Sequence, residues 1–278
     1  MMANISVLIK GEKNFVLDEN DLRIMILNSI RVAKNTFGRE YGKIVIAVDS
    51  GNYWRRDLFP YYKHARKKAR AASLIDWNAI HTSFKKIKQE INEHFPYRFI
   101  EVDRAEADDV IATLVFEYGV DIVTDISEKI LIYSGDKDFI QLHTYANVKQ
   151  YDAPRKRWIE NNDPETFLKE HIIRGDVGDG IPNIFSPDNC FVIGQRQTPV
   201  STKKLDVMVK QKEITFESRI YERNYQRNVE LIDLSKIPHE IKNNIIKKFE
   251  SQKSKPKKII NYFMKNELPT LINYISEF

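Results

Sequence analysis

The sequence predicts an α/β fold with a mainly parallel sheet flanked by helices. Short apolar, β-branched runs over 43–48, 98–102 and 129–133 are typical of buried strands. Helical periodicity over 21–35 and 76–94 predicts helices between those strands. Because strands alternate with helices along the chain, we expect right-handed crossovers between parallel strands.

The remaining elements follow from local signals. Asp103 and Glu106 have the spacing of a capping box at the start of the helix after 98–102, and a fourth short strand is expected at 147–150. From about residue 164 the pattern is helical, with turn-rich interruptions at 175–201 and around Pro256. The sequence therefore predicts an α/β domain over 1–160 and a helical region over 161–278.

Composition limits the classes of protein that the chain can represent. Its 278 residues are 42% hydrophobic, and its single cysteine, Cys190, excludes a disulfide framework and a cysteine-based zinc site. Neither a membrane-spanning apolar run nor a signal-peptide pattern is found, so we expect a cytoplasmic protein. The net charge is +5, which favours a polyanionic partner. Acids gather at 101–138 and 176–179, and bases at 55–70 and 242–258.

Acidic residues follow the predicted strands or open the helices after them. In open α/β sheets, ligands bind beyond the carboxyl ends of the strands, so we expect these acids to converge at one edge of the sheet. A second acidic turn lies further along the chain. The acids concerned are Asp49, Glu106, Asp108, Asp109, Asp136, Asp138, Asp176 and Asp179.

Such convergence has an electrostatic cost. Two carboxylates about 5 Å apart repel by roughly 3 kcal/mol at an effective dielectric constant of about 20, so their pKa values rise or a cation neutralises them. Oxygen ligands with no local His or Cys favour Mg²⁺, with Mn²⁺ as the alternative, over zinc. Two such ions about 4 Å apart suit in-line displacement at a phosphodiester.

Each acidic motif also has an ordinary structural interpretation. Glu106 can cap its helix with Asp103, and Asp49 can end a strand as a turn residue. Asp136 and Asp138 can form an Asx turn. The joint occurrence of these acids at strand ends favours the metal site.

Segment 53–70 is basic and aromatic, with seven Lys/Arg residues against one acid, Asp57. Phosphate neutralisation combined with base stacking is typical of single-stranded nucleic-acid binding. The alternative is a solvated basic helix over packed aromatic side chains. The predicted nucleic-acid-binding residues are Arg55, Arg56, Tyr62, Lys63, Arg66, Lys67 and Arg70.

With these motifs assembled, the sequence resembles the 5′-nuclease (flap endonuclease) family, and within it the phage ribonuclease H branch. The resemblance implies a PIN-like α/β fold, two divalent-metal sites, an arch or bridge over them, and a helix–three-turn–helix element that grips duplex DNA. It runs from about residue 22 to residue 278. The motifs that carry it are Ile46-Ala-Val-Asp49, Tyr53-Trp-Arg-Arg-Asp57, Glu106-Ala-Asp-Asp109, the segment 134–142 and the segment 175–182.

The resemblance also implies ligands for the first metal. Asp49, Asp108 and Asp136 match the ligand positions, and Asp136 is expected to be indispensable for catalysis. Glu106 and Asp109 match supporting positions.

For the second metal, the resemblance implies Asp138 and Asp179 as ligands, with Asp176 in the outer shell. Lys63 and Arg66 match the cations that would contact the scissile phosphate and act in catalysis.

Two departures from the family pattern are expected to matter. The strand ending in a catalytic Asp, with which the family begins, is not found, so one metal ligand and a central strand would be missing. The Gly-Ile-Gly turn that usually follows Ile-Pro is replaced by a longer segment, 183–200.

These observations support function hypotheses of different classes. The first is a Mg²⁺-dependent 5′-to-3′ exonuclease and flap endonuclease with ribonuclease H activity, which removes RNA primers and 5′ flaps in phage DNA replication. The second is a catalytically weakened protein that binds branched DNA. A third, disfavoured by the long helical half, is a PIN-type ribonuclease on single-stranded RNA. The expected partners are DNA and RNA–DNA hybrids, together with a single-stranded-DNA-binding protein and the replication machinery. We expect a monomer with no membrane association.

Overall fold

The computed structural model describes residues 18–66, 76–119, 128–252 and 258–278. The described strands are β1 (Val45–Val48), β2 (Arg98–Glu101), β3 (Ile130–Ile132), β4 (Val148–Asp152) and β5 (Arg157–Ile159). The described helices are α1 (Glu19–Tyr41), α2 (Arg55–Leu58), α3 (Trp77–His94), α4 (Ala107–Tyr118), α5 (Pro164–Arg174), α6 (Thr202–Val209), α7 (Arg219–Ile232), α8 (His239–Ser251), α9 (Ile259–Lys265) and α10 (Pro269–Ile272). Short 3₁₀ helices cover Lys137–Thr144, Leu234–Lys236 and Ile275–Glu277.

The described strands form two sheets. β1 pairs with β2, and β3, β4 and β5 form the second sheet in that order. β3 and β4 are parallel, with Ile130 opposite Val148, whereas β4 and β5 are antiparallel. The 3₁₀ helix Lys137–Thr144 lies between the parallel strands β3 and β4. This helix starts directly after Asp136, so that acid stands beyond the carboxyl end of β3.

The chain divides into two compact units, of which the first contains α1, α3 and the C-terminal helices. Its most unusual interior residue is Arg23, which is 1% exposed. The guanidinium donates to Glu90 at 2.9 and 3.0 Å and to Glu19 at 2.7 Å. A buried charge is tolerated when it is paired in this way. This unit comprises Met1–Ile46, Leu74–Ile100 and Phe249–Phe278.

The second unit comprises Ala47–Ser73 and Glu101–Lys248, and it contains every acid of the predicted cluster. Its turn-rich segment 175–200 is held by buried amide side chains of α7. Asn228 Nδ2 donates to Ile172 O at 2.7 Å and to Pro182 O at 2.9 Å, and Asn224 Nδ2 donates to Ile184 O at 2.9 Å. These bonds satisfy main-chain carbonyls that no helix or strand pairs.

The predicted α/β class is confirmed, and the predicted helices and strands are present with shifts of one or two residues at most ends, except that α1 continues to Tyr41, six residues beyond its predicted end. The predicted capping box is wrong by one turn. Glu106 is the N-cap of α4, and its main-chain N–H donates to Asp109 Oδ2 at 2.9 Å, whereas Asp103 lies outside the helix and is exposed. The antiparallel strand β5 was not expected, because its three residues show no clear strand signal.

Several predictions fall outside what the described residues can address. The N-terminal departure lies in residues 1–17, and the interruption around Pro256 lies in 253–257, both outside the described residues. The domain boundary near residue 160 stays a prediction, and the compact units are divided differently, because 249–278 belongs with α1 and α3. Among the described helices, none has the length and apolar character needed to cross a membrane.

Candidate metal centre

The carboxyl end of β1 is tied to the start of α4. Asp49 Oδ1 accepts a hydrogen bond from the Ala107 N–H at 2.7 Å, and the Ser50 N–H donates to Ala105 O at 2.9 Å. Main-chain N–H groups at a helix N-terminus favour a negative charge. The exposed Asp49 carboxylate is therefore held beside the acids that open α4.

Beneath these acids lies a buried ion-pair group. Arg55 Nη1 lies 2.9 Å from Glu106 Oε2 and 2.8 Å from Asp109 Oδ1, and the three residues are 3%, 1% and 0% exposed. Trp54 Nε1–H donates to Asp109 Oδ2 at 3.1 Å, and Arg55 Nε donates to Leu231 O at 2.9 Å. Burial lowers the pKa of Arg55, but the neighbouring groups, the carboxylates of Asp109 and Glu106 among them, have a larger combined effect, so the pKa is raised above its ordinary value.

This pairing bears on two predicted metal-supporting residues. Glu106 and Asp109 would have to give up contacts with Arg55 in order to bind a metal ion directly. Their role in metal binding stays a prediction, and their contacts anchor α4 to the segment that contains Arg55.

The cations of the basic segment meet the acidic turn after α5. Lys63 Nζ pairs with Glu106 and lies 3.5 Å from Asp179 Oδ2, and Arg66 pairs with Asp179. The Tyr62 hydroxyl lies 2.9 Å from Glu106 Oε2 and 2.8 Å from Asp179 Oδ2, so its single proton serves one acid at a time. The Lys63 main-chain N–H donates to Asp179 O at 2.7 Å, with Lys63 at φ 57°. The predicted proximity of cations and acids is thus observed.

A histidine completes a second group of acids. His171 Nε2, in the last turn of α5, lies 3.5 Å from Asp138 Oδ1 and 3.4 Å from Asp176 Oδ2. These three ligand atoms all lie within 4.8 Å of one another, which is a spacing that a divalent cation can bridge. A histidine therefore lies beside two of the predicted oxygen ligands, which was not expected from the sequence.

Asp108 and Asp136 join the same region. Asp108, Asp138, Asp176 and Asp179 line a cavity of about 10 Å³, which has room for about one water molecule. The Asp136 side chain accepts from the Asp138 N–H at 3.2 Å, so the Asx turn is present. The turn does not exclude a metal role, because it leaves Asp136 close enough to raise the pKa values of Asp108 and Asp138.

The pKa shifts show for which acids no positive charge fully offsets the effect of burial and of neighbouring carboxylates. The pKa of Asp108 is raised well above its ordinary value, with burial as the largest cause and the charge of Asp136 as the second. The same two causes raise the pKa of Asp138 to about 7, against the opposing effect of His171. Burial would also raise the pKa of Asp176, but His171 outweighs it and the pKa of Asp176 is lowered. Asp108 and Asp138 are thus the acids that would gain most from a bound cation.

A pH dependence follows for the metal-free protein. The pKa of Asp138 is about 7 when folded and 3.8 ordinarily, so between these values the unfolded chain has released a proton that the folded chain still holds. The free energy of unfolding should therefore fall as the pH rises across this window. The substitution Asp138→Asn should make the fall smaller. Urea unfolding with chelator at about pH 5 and about pH 8 measures it. Exposed Asp206→Asn is the control, and equal falls in all three proteins would contradict the assignment.

The predicted nucleic-acid-binding residues differ in their exposure. Arg55 and Tyr62 are buried, so their prediction as nucleic-acid contacts is wrong for this arrangement. Arg56 is exposed and stacks over Tyr53, with its guanidinium carbon 4.8 Å from the ring centroid, and Arg66 is 49% exposed. Lys67 and Arg70 lie outside the described residues.

The aromatic residues of this segment mostly belong to the interior. Trp54, Phe59 and Tyr62 are 3%, 3% and 4% exposed, which favours the alternative of packed aromatics beneath a basic surface. Phe59 and Tyr62 pack in a cluster with residues of α5 and α7. Base stacking on these buried rings is therefore contradicted.

Sequence reasoning missed His171 and the interior role of Trp54. The available signal for His171 was its position in the last turn of a helix, five residues before Asp176 in the acidic turn. Trp54 gave no comparable signal, because its partner Asp109 is remote in sequence.

The helix–three-turn–helix element implied by the resemblance stays a prediction. The described elements at that place in the chain are α5, the segment 175–201 and α6, which we call the helix–turns–helix region. Gly175 has φ 66°, and a Cβ there would lie 2.4 Å from Ile181 O, so the turn after α5 requires glycine. The interior of this region is a buried cluster formed by Ile173, Ile184, Leu205, Met208 and Val209.

Comparison with known proteins places this geometry in context. Residues 22–172 match the family model for the N-terminal resolvase-like domain of 5′-3′ exonucleases, and residues 163–278 match the model for the C-terminal part of T4 RNase H. The Ribonuclease H of Enterobacteria phage T4 is 36% identical over 269 residues, which cover 92% of this chain and 86% of that protein.

More distant relatives agree with these matches. The flap endonuclease Xni of Shewanella oneidensis is 30% identical over 183 residues, covering 60% of this chain and 62% of that protein. Among solved structures, phage T5 5′-exonuclease with bound zinc ions aligns with a TM-score of 0.57 at 17% identity, over 84% of this chain and 96% of that one. The structure of phage T5 flap endonuclease in complex with DNA and metal ions aligns with a TM-score of 0.57 at 16% identity, over 84% of this chain and 93% of that one. The predicted PIN-like fold is confirmed by these likenesses.

Proposed function

This chain belongs to the 5′-3′ exonuclease family and is a nuclease, and we propose that it is a divalent-metal-dependent 5′ nuclease that removes RNA primers and 5′ flaps during phage DNA replication. The observation that carries the proposal is the convergence of Asp108, Asp138, Asp176 and Asp179 on one small cavity. These acids come from α4, from the 3₁₀ helix after β3 and from the turn after α5, and a bound cation would offset their mutual repulsion.

The donor set fits divalent ions. Asp108 and Asp136 stand together at the ends of α4 and β3, and Asp138 and Asp176 stand with His171. Asp49 is held beside the first group by its bond to Ala107. When bound, divalent ions would polarise the scissile phosphodiester and lower the pKa of attacking water.

The protein's own cations would position the substrate. Lys63 and Arg66 are paired with Glu106 and Asp179, so a phosphate that enters the site could draw on them. Arg66 is half exposed and Arg56 lies exposed nearby along the chain, and both can contact the nucleic-acid backbone. Lys63 and Arg66 thus reduce the repulsion that the carboxylates exert on a phosphodiester.

The substrate class rests on the relatives. The similar phage T4 protein is named a ribonuclease H, and the phage T5 structure is a flap endonuclease with DNA. We expect the helix–turns–helix region to grip the duplex beside a 5′ end, through main-chain N–H groups and exposed cations. A protein that acts on replicating phage DNA would lie in the host cytoplasm. A single-stranded-DNA-binding protein is an expected partner there.

The direct test uses a 5′-labelled RNA annealed to DNA and a 5′-flap DNA. With Mg²⁺, short labelled products should be released from both substrates, and chelator should abolish release until excess Mg²⁺ is returned. The substitution Asp136→Asn should remove the activity, whereas Glu240→Gln, which neutralises an exposed acid of α8, should leave it unchanged. If the wild-type chain gives no metal-dependent cleavage, the proposal fails.

The same assay separates the alternative of a branched-DNA-binding protein without catalysis. Binding needs only the cations, so a pure binder would retain flap affinity in Asp136→Asn and lose it steeply with added salt. Binding by the wild-type chain without any cleavage would favour that alternative.

A further inference from the structure

We propose that His171 Nε2 binds a divalent ion directly, together with Asp138 and Asp176, and that this position therefore prefers a first-row transition ion such as Mn²⁺ over Mg²⁺. The inference rests on the proposed metal dependence and specifies the chemistry of one of its ion positions. It also changes the expected ligand set, from Asp138 with Asp179 to Asp138 with Asp176 and His171.

The geometry of the three ligand atoms supports direct binding. Ions that hold nitrogen and oxygen at about 2.0–2.2 Å place neighbouring ligand atoms roughly 3.0–3.4 Å apart. His171 Nε2 lies 3.4 and 3.5 Å from its two carboxylate neighbours, close to that range, and the ligand atoms of the two carboxylates lie within 4.8 Å of each other. Within the described residues, this buried Nε2 has no hydrogen-bond partner of good geometry.

The local fold fixes these atoms. His171 lies one turn before the end of α5, and Gly175 allows the chain to fold back directly after the helix. The Ile181 N–H donates to Asp176 O at 2.7 Å, and the Asp179 N–H donates to Asp176 Oδ1 at 2.9 Å. Asp176 therefore turns its other oxygen, Oδ2, towards His171.

The other acid of the second-metal prediction is already engaged. Asp179 Oδ1 is paired with Arg66, and its Oδ2 lies within reach of Tyr62 and Lys63. Among the described residues, the cationic side chain paired with Asp176 is His171. The three atoms of Asp138, His171 and Asp176 are thus the better ligand set.

Ligand type determines the preferred ion. Carboxylate and water oxygens suit Mg²⁺, whereas an imidazole nitrogen raises affinity for first-row transition ions relative to Mg²⁺. The competing interpretation is that His171 is an imidazolium that only neutralises the two carboxylates. That interpretation predicts no metal–nitrogen bond.

Electron spin echo spectroscopy of bound Mn²⁺ distinguishes the two interpretations, because it detects directly bonded nitrogen. The full chain should show coupling to ¹⁴N that becomes coupling to ¹⁵N when only histidine is labelled. His171→Gln should abolish the coupling and weaken Mn²⁺ binding at one position by about tenfold or more, with a smaller effect on Mg²⁺. His239→Gln, which removes an exposed histidine of α8, should change neither.

Absence of histidine nitrogen coupling in the wild-type chain, or its persistence in His171→Gln, would overturn the inference. The isotope comparison uses the unaltered protein, so it decides the matter even if the variant folds poorly. Cleavage assays on the same samples keep the two proposals apart. Mg²⁺-dependent cleavage without nitrogen coupling overturns only the ligand assignment, whereas nitrogen coupling without cleavage overturns only the nuclease proposal.

Discussion

Replacing Asp108 by Asn is expected to reduce metal-dependent cleavage by about 10³-fold, because a lost ligand removes several kcal/mol of transition-state stabilisation at roughly 1.4 kcal/mol per tenfold. The same change should stabilise the metal-free protein at neutral pH. Burial and Asp136 raise the pKa of Asp108, so its ionised form opposes folding above the ordinary pKa of an aspartate. A neutral amide removes that cost.

Two measurements test this combination. Steady-state cleavage of a 5′-flap substrate gives the activity, and urea unfolding with chelator gives the free energy of unfolding. Added Mg²⁺ should raise the melting temperature of the wild-type chain more than that of Asp108→Asn. Glu240→Gln, which changes an exposed acid of α8, should resemble the wild type in every respect. An inactive variant that is less stable than the wild type at neutral pH would show that Asp108 has a structural role instead.

Replacing Arg55 by Met is expected to lower the free energy of unfolding by about 3–5 kcal/mol, because buried Asp109 would lose its cationic partner and buried Glu106 would keep only Lys63. The loss should shrink as the pH falls, since Asp109, whose pKa is raised by burial, can then take up a proton in the folded state. Activity should fall together with stability, because α4 contains Asp108 as well as the acid Asp109.

The adjacent Arg56 provides a matched control for this change. Its side chain is exposed, so Arg56→Met should alter stability by no more than about 0.5 kcal/mol. Urea unfolding of both variants at two pH values measures the difference. Similar losses in the two variants, or a loss in Arg55→Met that does not depend on pH, would contradict the importance of the buried pairs.

Much of the architecture could be predicted because local patterns determine it. Alternating apolar runs and helical periodicity located the helices α1 and α3 and the strands β1 to β4 within a few residues. The prediction that acids beyond strand ends lie together also agrees with the structure, although the described strands that precede them belong to two sheets. Asp108, Asp136 and Asp138 are indeed close enough for their charges to influence each other.

What could not be predicted depends on partners that are remote in sequence. The segment 53–66 has the composition of an exposed basic surface, yet Arg55 is buried against Glu106, 51 residues further along. Exposure of an arginine cannot be judged from its neighbours when the carboxylates that neutralise it belong to another helix. The same limit applies to His171, whose approach to Asp138 depends on how α5 packs against the 3₁₀ helix.

The main-chain bond from Lys63 N–H to Asp179 O joins the cationic segment to the acidic turn without using either side-chain charge. The register between the two segments should therefore survive substitutions that alter their charges. A set of variants that bind a 5′ flap but do not cut it could be made by exchanging acids for amides, with the surrounding backbone unchanged. Such variants would serve as substrate traps, holding the nucleic acid that the wild-type chain would release as product.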